Sequence, residues 1–380
     1  MKQTVIILGS TGSIGKQTLE VVAANPDRFE LIGISAFRDS DLLRRQAKEF
    51  SPRYIACAEH PDRTEYPDTS EIFAGDDASE RLAGISCDIL ILAISGFAAL
   101  KPLLIALHHA TRIAIANKES LVCGGALVTR EVESTKTELV PIDSEQSAIF
   151  QCLMGGKKSE VKRLILTASG GPFFRKTREE LEHVKISDVL AHPTWNMGRK
   201  ITLDSATLFN KGLEVMEASR LFGFSGEQIG VLVHPQSIVH SMVEFIDHTV
   251  IANLAVPDMR LPIQYAMTYP NRTCSLTKPL DLAACRELTF FNADFVRFPA
   301  LRLAYEALSM EQGLPIVYNG ANEMAAELYF AGEIRFLDIE RCVDKAMQAY
   351  QPKPINSVEA IYEADAWSRA FVKEYSKTIR

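Results

Sequence analysis

The run Thr4-Val5-Ile6-Ile7-Leu8 leads straight into Gly9-Ser10-Thr11-Gly12-Ser13-Ile14-Gly15, and a helical pattern through Leu19, Val21 and Val22 follows. Strand, glycine-rich turn and helix in this order restrict the chain to a βα beginning. A βα unit buries its strand only when further units extend the sheet and cover both its faces. Glycines at such a turn let the backbone approach a pyrophosphate, and the helix start adds N–H groups and the positive end of its dipole. The spacing is G-x-x-G-x-x-G rather than G-x-G-x-x-G, which alone also fits a tight βα turn without a ligand, but its place at the chain start and the βα pattern that follows favour the dinucleotide loop. Further apolar runs at 30–35, 54–58, 88–94, 112–116 and 138–142 alternate with helical stretches. That alternation predicts an α/β fold opening with a doubly wound, Rossmann-like parallel sheet. Residues 61–77 are polar and rich in Pro and Asp, and read as a long surface loop.

At 380 residues, 47% apolar and 23% charged, the chain is long enough for two or three domains and lacks the bias of disordered, collagenous or membrane proteins. A net charge of −7 argues against nucleic acid or an anionic membrane as partner, while a few local Lys and Arg could still hold a small anionic substrate. The seven Cys (57, 87, 123, 152, 274, 285 and 342) form no C-x-x-C and read as reduced thiols of a cytoplasmic protein. Met1-Lys2-Gln3-Thr4 shows no signal-peptide pattern, and no apolar run approaches the roughly 18 residues of a membrane span.

Ligands of a doubly wound sheet bind at the carboxyl ends of its strands. The second strand ends in Ala36-Phe37-Arg38-Asp39. An acid there suits the ribose diol of NAD, and an Arg accommodates the 2′-phosphate of NADP. Arg38 with Ser35 favours NADP, Asp39 pulls the other way, and a surface Arg would serve neither. Asn117-Lys118-Glu119-Ser120 ends another strand, and Pro141-Ile142-Asp143-Ser144-Glu145 a third. In extended backbone Asp143 and Glu145 point the same way. Two such carboxylates repel unless a proton, a basic group or a cation intervenes, and a hard divalent ion favours oxygen ligands of this kind. A solvated turn at a strand end is the plainer reading of these residues alone.

Residues 161–167 read as a strand, and Ser169-Gly170-Gly171-Pro172-Phe173 as a turn that is either plain or able to hold a phosphate. Thr177-Arg178-Glu179-Glu180 has the form of a capping box. Residues 191–200 carry His192, Trp195, Met197 and Gly198 without periodicity, which suits a lid over substrate or a packed surface loop. Asp204-Ser205-Ala206-Thr207 is expected to start a helix in which Asn210, Lys211 and Glu214 share part of one face. Those three could grip phosphate, hydroxyl and metal, or Lys211 and Glu214 could form a solvated pair. Residues 231–240 and 242–254 read as antiparallel strands turning near Asp247-His248, with His234 and His240 as packing groups rather than metal ligands. A connector over 271–298 precedes four helical patterns at 299–312, 319–332, 336–350 and 356–377, a small helical C-terminal bundle.

Taken together, these motifs resemble one family. G-S-T-G-S-I-G at 9–15, A-N-K-E-S-L-V at 116–122, P-I-D-S-E at 141–145 and S-G-G-P-F at 169–173 come first. H-P-T-W-N-M-G-R-K at 192–200, D-S-A-T-L-F-N-K-G-L-E at 204–214, H-P-Q-S-I-V-H-S-M-V at 234–243, P-D-M-R-L-P-I at 257–263 and N-G-A-N-E at 319–323 follow. In order and spacing they resemble 1-deoxy-D-xylulose 5-phosphate reductoisomerases of non-mevalonate isoprenoid synthesis, nearly end to end. The resemblance implies NADPH, a divalent metal (Mg²⁺, Mn²⁺ or Co²⁺), a homodimer, and a sugar phosphate rearranged and then reduced to 2-C-methyl-D-erythritol 4-phosphate. It implies an NADPH-binding domain over 1–143, a catalytic and dimerising α+β domain over 144–270 with its lid at 191–200, the connector, and the helical domain over 299–380.

By the same resemblance Asp143, Glu145 and Glu214 bind metal. Lys118, Ser144, Glu145, Ser169, His192, Ser205, Asn210, Lys211 and Glu214 hold substrate, with Trp195 and Met197 closing over it. Thr11, Gly12, Ser13, Ile14, Asn117, Glu119 and Gly198 contact NADPH. Lys118 is the candidate for polarising or proton-transfer work near the metal. The family commonly carries G-K-N after its second strand; the match here is Phe37-Arg38-Asp39, with NADPH still expected through Arg38. Two other classes compete: an NADP-dependent dehydrogenase of another phosphorylated substrate, and a non-catalytic NADP sensor. No Tyr is followed by Lys four positions later, which weighs against a short-chain dehydrogenase. A sensor has no need of three acids beside a phosphate-holding set.

Overall fold

The computed structural model describes residues 1–191, 194, 195 and 197–379, which form two compact bodies. Among the described residues the first comprises Met1–Ser120, Val128–Ser147 and Asp258–Lys278, and the second Leu121–Leu127, Ala148–Pro257 and 279–379.

The first body is built on seven strands: β1 (Gln3–Leu8), β2 (Phe29–Ala36), β3 (Tyr54–Cys57), β4 (Glu71–Ala74), β5 (Cys87–Leu92), β6 (Ala110–Ile115) and β7 (Glu138–Pro141). They form one parallel sheet in the order β4-β3-β2-β1-β5-β6-β7. Val5, Ile6, Ile7 and Leu8 are all fully buried, as a strand covered on both faces requires. The sheet grows outward from β1 in both directions, so its ligand crevice opens past the carboxyl ends of β1 and β5.

Gly9 shapes that crevice. Its φ is +92°, and a Cβ there would stand 2.6 Å from the Ala93 carbonyl oxygen at the end of β5. Gly15, in the helix Ser13–Ala24, lets that helix close on the turn, since its Cβ would lie 2.3 Å from the Gly9 oxygen. Gly9→Ala should therefore cost about 2 kcal/mol or more, from the left-handed backbone and the clash together. A denaturant titration checks this, and an unchanged midpoint would contradict it.

Two expectations need correction. Residues 61–77 are not one loop: they contain β4, which extends the sheet beyond β3. Four residues are too short for a periodic pattern, and β4 is fixed instead by Phe73, whose ring stacks on Tyr54 at 5.9 Å. Residues 231–240 are not one strand either. The second body has β8 (Val161–Ala168), β9 (Ile229–Val233), β10 (Val239–Phe245), β11 (Val250–Leu254) and β12 (Phe291–Asn292), in the order β11-β10-β8-β9-β12. After β9, Pro235 and the positive φ of Ser237 (51°) break the strand. Consequently β9 runs parallel to β8 on one side while β10 runs antiparallel to β8 on the other. The hairpin expected around Asp247 and His248 is present between β10 and β11.

The four C-terminal helices are Ala300–Met310, Leu314–Phe330, Phe336–Ala349 and Val358–Ser376. The second starts ahead of Asn319 because Pro315 sits in its first turn, where a missing N–H costs nothing. Their core holds the fully buried Tyr318, packed on Phe209 at 5.1 Å, and Phe336, edge-on to Phe173 at 5.3 Å.

Candidate functional site

In the first body the predicted residues gather at the carboxyl ends of β1, β2, β6 and β7. Asn117 follows β6 and is 2% exposed. Its side-chain oxygen accepts from the Ser120 N–H (2.9 Å), capping the helix Lys118–Thr135. Its amide donates to the carbonyls of Ile94 (3.0 Å) and Gly96 (2.9 Å) and to the Glu119 carboxylate (2.9 Å). One side chain thus ties the turn after β5 to the start of the helix after β6. Thr11, Gly12, Ser13 and Ile14 form the turn and first residues of the helix Ser13–Ala24, with Gly12 and Ser13 exposed.

Lys118 and Asp143 meet as a nearly buried ion pair, Nζ to Oδ2 2.7 Å, with side-chain exposures of 6% and 12%. The extended backbone expected through Asp143 and Glu145 is not what the structure shows. Strand β7 stops at Pro141 and a helix begins at Ser144. Asp143 Oδ1 accepts from the Glu145 N–H at 3.1 Å, so Asp143 stands at the helix entrance with Glu145 in the first turn. The acids still converge, with carboxylate oxygens within 4.8 Å of one another. Ser144 donates to Glu145. An acid pair at a positive helix end, with an ammonium on one member, is a preformed oxygen-donor set.

After β2, Phe37 and Arg38 are exposed, and Arg38 forms no ion pair among the described residues. Asp39 is not available to a ligand in the same way. Arg44 grips it with Nε on Oδ1 (2.9 Å) and Nη2 on Oδ2 (2.7 Å), and the Tyr66 hydroxyl donates to Oδ1 at 2.6 Å. The Arg44 guanidinium holds the Asp39 carboxyl down at about 2, and burial together with Asp39 pushes the Tyr66 phenol up.

In the second body, Ser169 follows β8, and its hydroxyl accepts from the Gly171 N–H at 3.2 Å. Gly171 has φ +65°, and a Cβ there would lie 2.8 Å from the Ser205 carbonyl. The small turn therefore seats directly against the helix Arg199–Thr207, bringing the Ser169 segment to Ser205. The sequence predicts one helix that begins at Asp204 and carries Asn210, Lys211 and Glu214. Instead the helix begins after Gly198, and Leu208 in the left-handed region (φ 64°) separates it from a second helix, Phe209–Phe222. In the second helix the Asn210 amide donates to Glu214 at 2.6 Å, and Lys211 pairs with the same carboxylate. Lys211 is 3% exposed and Glu214 fully buried, so this is not a solvated surface pair. Gly198 caps the first helix; Trp195 and Met197 precede it, with the Trp195 ring 6.2 Å from that of His240. His192 lies outside the described residues.

Asp204 and Asn322, read from sequence only as a helix start and as part of a motif, brace the helix that carries Ser205. Asp204, 3% exposed, accepts from the Asn322 amide at 2.9 Å and pairs with Lys200. This fixes the helix bearing Ser205 to the helix Leu314–Phe330. Asn322 lies in the N-G-A-N-E motif, and a polar motif within an otherwise apolar helical pattern was the available sign.

A family model described as 1-deoxy-D-xylulose 5-phosphate reductoisomerase matches residues 5–125, and one for that enzyme's C-terminal domain matches 139–222. A further DXP reductoisomerase C-terminal domain model matches 254–371. The chain is 46% identical to the 1-deoxy-D-xylulose 5-phosphate reductoisomerase of Trichlorobacter lovleyi, covering 100% of this chain and 99% of that one. It is 47% identical to that of a Geobacillus species, covering 97% and 98%. The fold superposes with a TM-score of 0.91 on the Zymomonas mobilis reductoisomerase in complex with NADPH, at 38% identity and 99% of both chains. It superposes with a TM-score of 0.92 on a reductoisomerase bound to NADPH, fosmidomycin and magnesium, at 34% identity and 99% of both chains.

Proposed function

The chain belongs to the 1-deoxy-D-xylulose 5-phosphate reductoisomerase family, and on that premise we propose that it converts this substrate to 2-C-methyl-D-erythritol 4-phosphate. The observation that carries the reading is full-length relatedness to enzymes of this one activity, at close to half the residues. It is an NADPH- and divalent-metal-dependent oxidoreductase that also rearranges the carbon skeleton.

The residues fit both groups. Gly9 and Gly15 keep the turn after β1 clear where any Cβ would collide, and Gly12 leaves its crest without a side chain. Thr11, Gly12, Ser13 and Ile14 would line the pyrophosphate, Asn117, Glu119 and Gly198 the rest of NADPH, and Arg38 its 2′-phosphate. Asp143, Glu145 and Glu214 offer the hard oxygen donors that Mg²⁺ or Mn²⁺ prefers. When bound, the metal supplies Lewis acidity toward the substrate's neighbouring oxygens, and NADPH supplies the hydride.

The chain's own side chains orient and protect the reacting carbons. Ser169, Ser205, Asn210 and Lys211 anchor the phosphate, whose binding energy then positions the distant end of the substrate. Lys118 Nζ stands 2.7 Å from Asp143 Oδ2, where it can polarise a substrate oxygen or take part in proton transfer. Ser144 and His192 add contacts to substrate hydroxyls or phosphate, and Trp195 with Met197 shields the site from water. The resemblance further implies a homodimer, with its contact in the segment read from sequence as the catalytic domain. The seven free cysteines suit the reducing cytoplasm. No described helix is long and apolar enough to cross a membrane.

The test is NADPH oxidation on adding 1-deoxy-D-xylulose 5-phosphate, with Mg²⁺ and again with excess chelator. Oxidation that stops with the chelator is expected. Oxidation that is indifferent to metal would point to a plain dehydrogenase, and NADPH binding without oxidation to a sensor.

A further inference from the structure

We propose that Arg44 and Tyr66 set the NADPH preference of this chain by holding the Asp39 carboxylate out of reach of the adenosine ribose. The inference rests on the NADPH reading above. An acid at the end of the second strand of such a sheet ordinarily accepts from the ribose 2′-hydroxyl and repels a 2′-phosphate. This chain has an acid in that segment, three residues beyond the end of β2 at Ala36. Left to itself, Asp39 would favour NADH.

The structure removes it from that role. Both carboxylate oxygens are engaged, Oδ1 by Arg44 Nε and the Tyr66 hydroxyl, and Oδ2 by Arg44 Nη2. The two-pronged guanidinium cancels the charge and fixes the plane of the carboxylate, which a single ammonium would not do. The Asp39 side chain is only 10% exposed. Its backbone N–H is also tied down, donating to Glu59 at 3.0 Å.

The device is built from both sides. Ser40 accepts from the Leu43 N–H (3.3 Å) and caps the helix Asp41–Phe50, which delivers Arg44 from its first turns. Tyr66 is 4% exposed and is supported by Arg63, which donates to the carbonyls of Tyr66 (3.3 Å), Pro67 (2.9 Å), Asp68 (2.9 Å) and Ser70 (3.1 Å). The segment between β3 and β4 thus carries the tyrosine that completes the grip. Arg38, exposed on the same turn, is left to meet the 2′-phosphate.

The experiment measures dissociation constants for NADPH and NADH directly, by fluorescence or calorimetric titration, on the full chain without substrate. Arg44→Met leaves Asp39 charged and unclamped. It should narrow the NADPH-over-NADH ratio by roughly tenfold or more, mainly by weakening NADPH. Tyr66→Phe, which keeps the ring and so the packing, should move the ratio the same way by less. Adding Asp39→Asn to Arg44→Met should restore the ratio, because an amide does not repel the phosphate. A ratio unmoved by both single variants, or not restored in the double variant, would overturn the proposal while leaving NADPH binding by the wild type intact. A wild type that binds neither dinucleotide would overturn the NADPH reading and this proposal with it.

Discussion

Glu214→Gln is expected to lower turnover by roughly 10³-fold while leaving NADPH affinity nearly unchanged, since loss of about 4 kcal/mol of metal-borne stabilisation converts to three decades. Glu214 is fully buried in the helix Phe209–Phe222, where Asn210 and Lys211 aim at its carboxylate. Burying a carboxylate with an amide and an ammonium on it costs desolvation that a purely structural helix has no reason to bear. Glutamine keeps the volume and an oxygen for Asn210, but it leaves the buried Lys211 ammonium without its counter-charge, so thermal unfolding is followed beside the kinetics to separate lost stability from lost turnover. Steady-state kinetics beside a dinucleotide titration makes the measurement. Equal loss of turnover and NADPH binding would contradict a metal-holding role, and unchanged turnover would remove Glu214 from the site.

Lys211→Met carries the second large effect, and it is twofold. The substrate loses a charge-assisted partner for its phosphate, so its KM should rise about 10- to 100-fold, from roughly 1.5–3 kcal/mol of lost interaction. Methionine also strands the Glu214 carboxylate, fully buried with its ammonium partner gone, which should lower stability by about 3 kcal/mol. The two effects separate in the assay: KM reports the phosphate and thermal unfolding reports the stranded acid. Mg²⁺ should recover part of the lost melting temperature, because a cation on Glu214 replaces the missing positive charge. A substrate KM that stays put would assign the phosphate to other residues.

Much of this was legible in the residues. The strand, turn and helix at residues 3–24 and the alternation after it point to the parallel sheet, because strands buried on both faces write themselves as unbroken apolar runs. Strand β4 escaped for the opposite reason: at four residues on the sheet edge, it is held by one buried Phe and has no pattern to show. The break at Leu208 escaped because a left-handed leucine leaves no mark on a helical pattern; its packing inside the second body and its N–H on the Ser205 carbonyl hold it.

The site divides along the same line. The spacing of Asp143 and Glu145 predicts their convergence for the wrong geometric reason, since a helix entrance rather than an extended strand brings them together. Lys211 with Glu214 was legible as a helical pair, but its burial was not, because burial depends on what other elements place above it. Pairings distant in sequence were out of reach altogether. Asp39 meets Tyr66 across 27 positions and Asn322 meets Asp204 across 118, and no local rule connects such residues. For Asp39 this mattered most, because the bare sequence shows an acid that favours NADH and the fold shows one already occupied.

Rearrangement of the carbon skeleton, and not reduction alone, separates a reductoisomerase from a plain dehydrogenase. The most direct test identifies the product by NMR after incubation with 1-deoxy-D-xylulose 5-phosphate, NADPH and Mg²⁺. The expected product is a branched chain, 2-C-methyl-D-erythritol 4-phosphate, formed with one NADPH consumed per product. An unbranched, reduced sugar phosphate would contradict that expectation, leaving a dehydrogenase on a reductoisomerase scaffold.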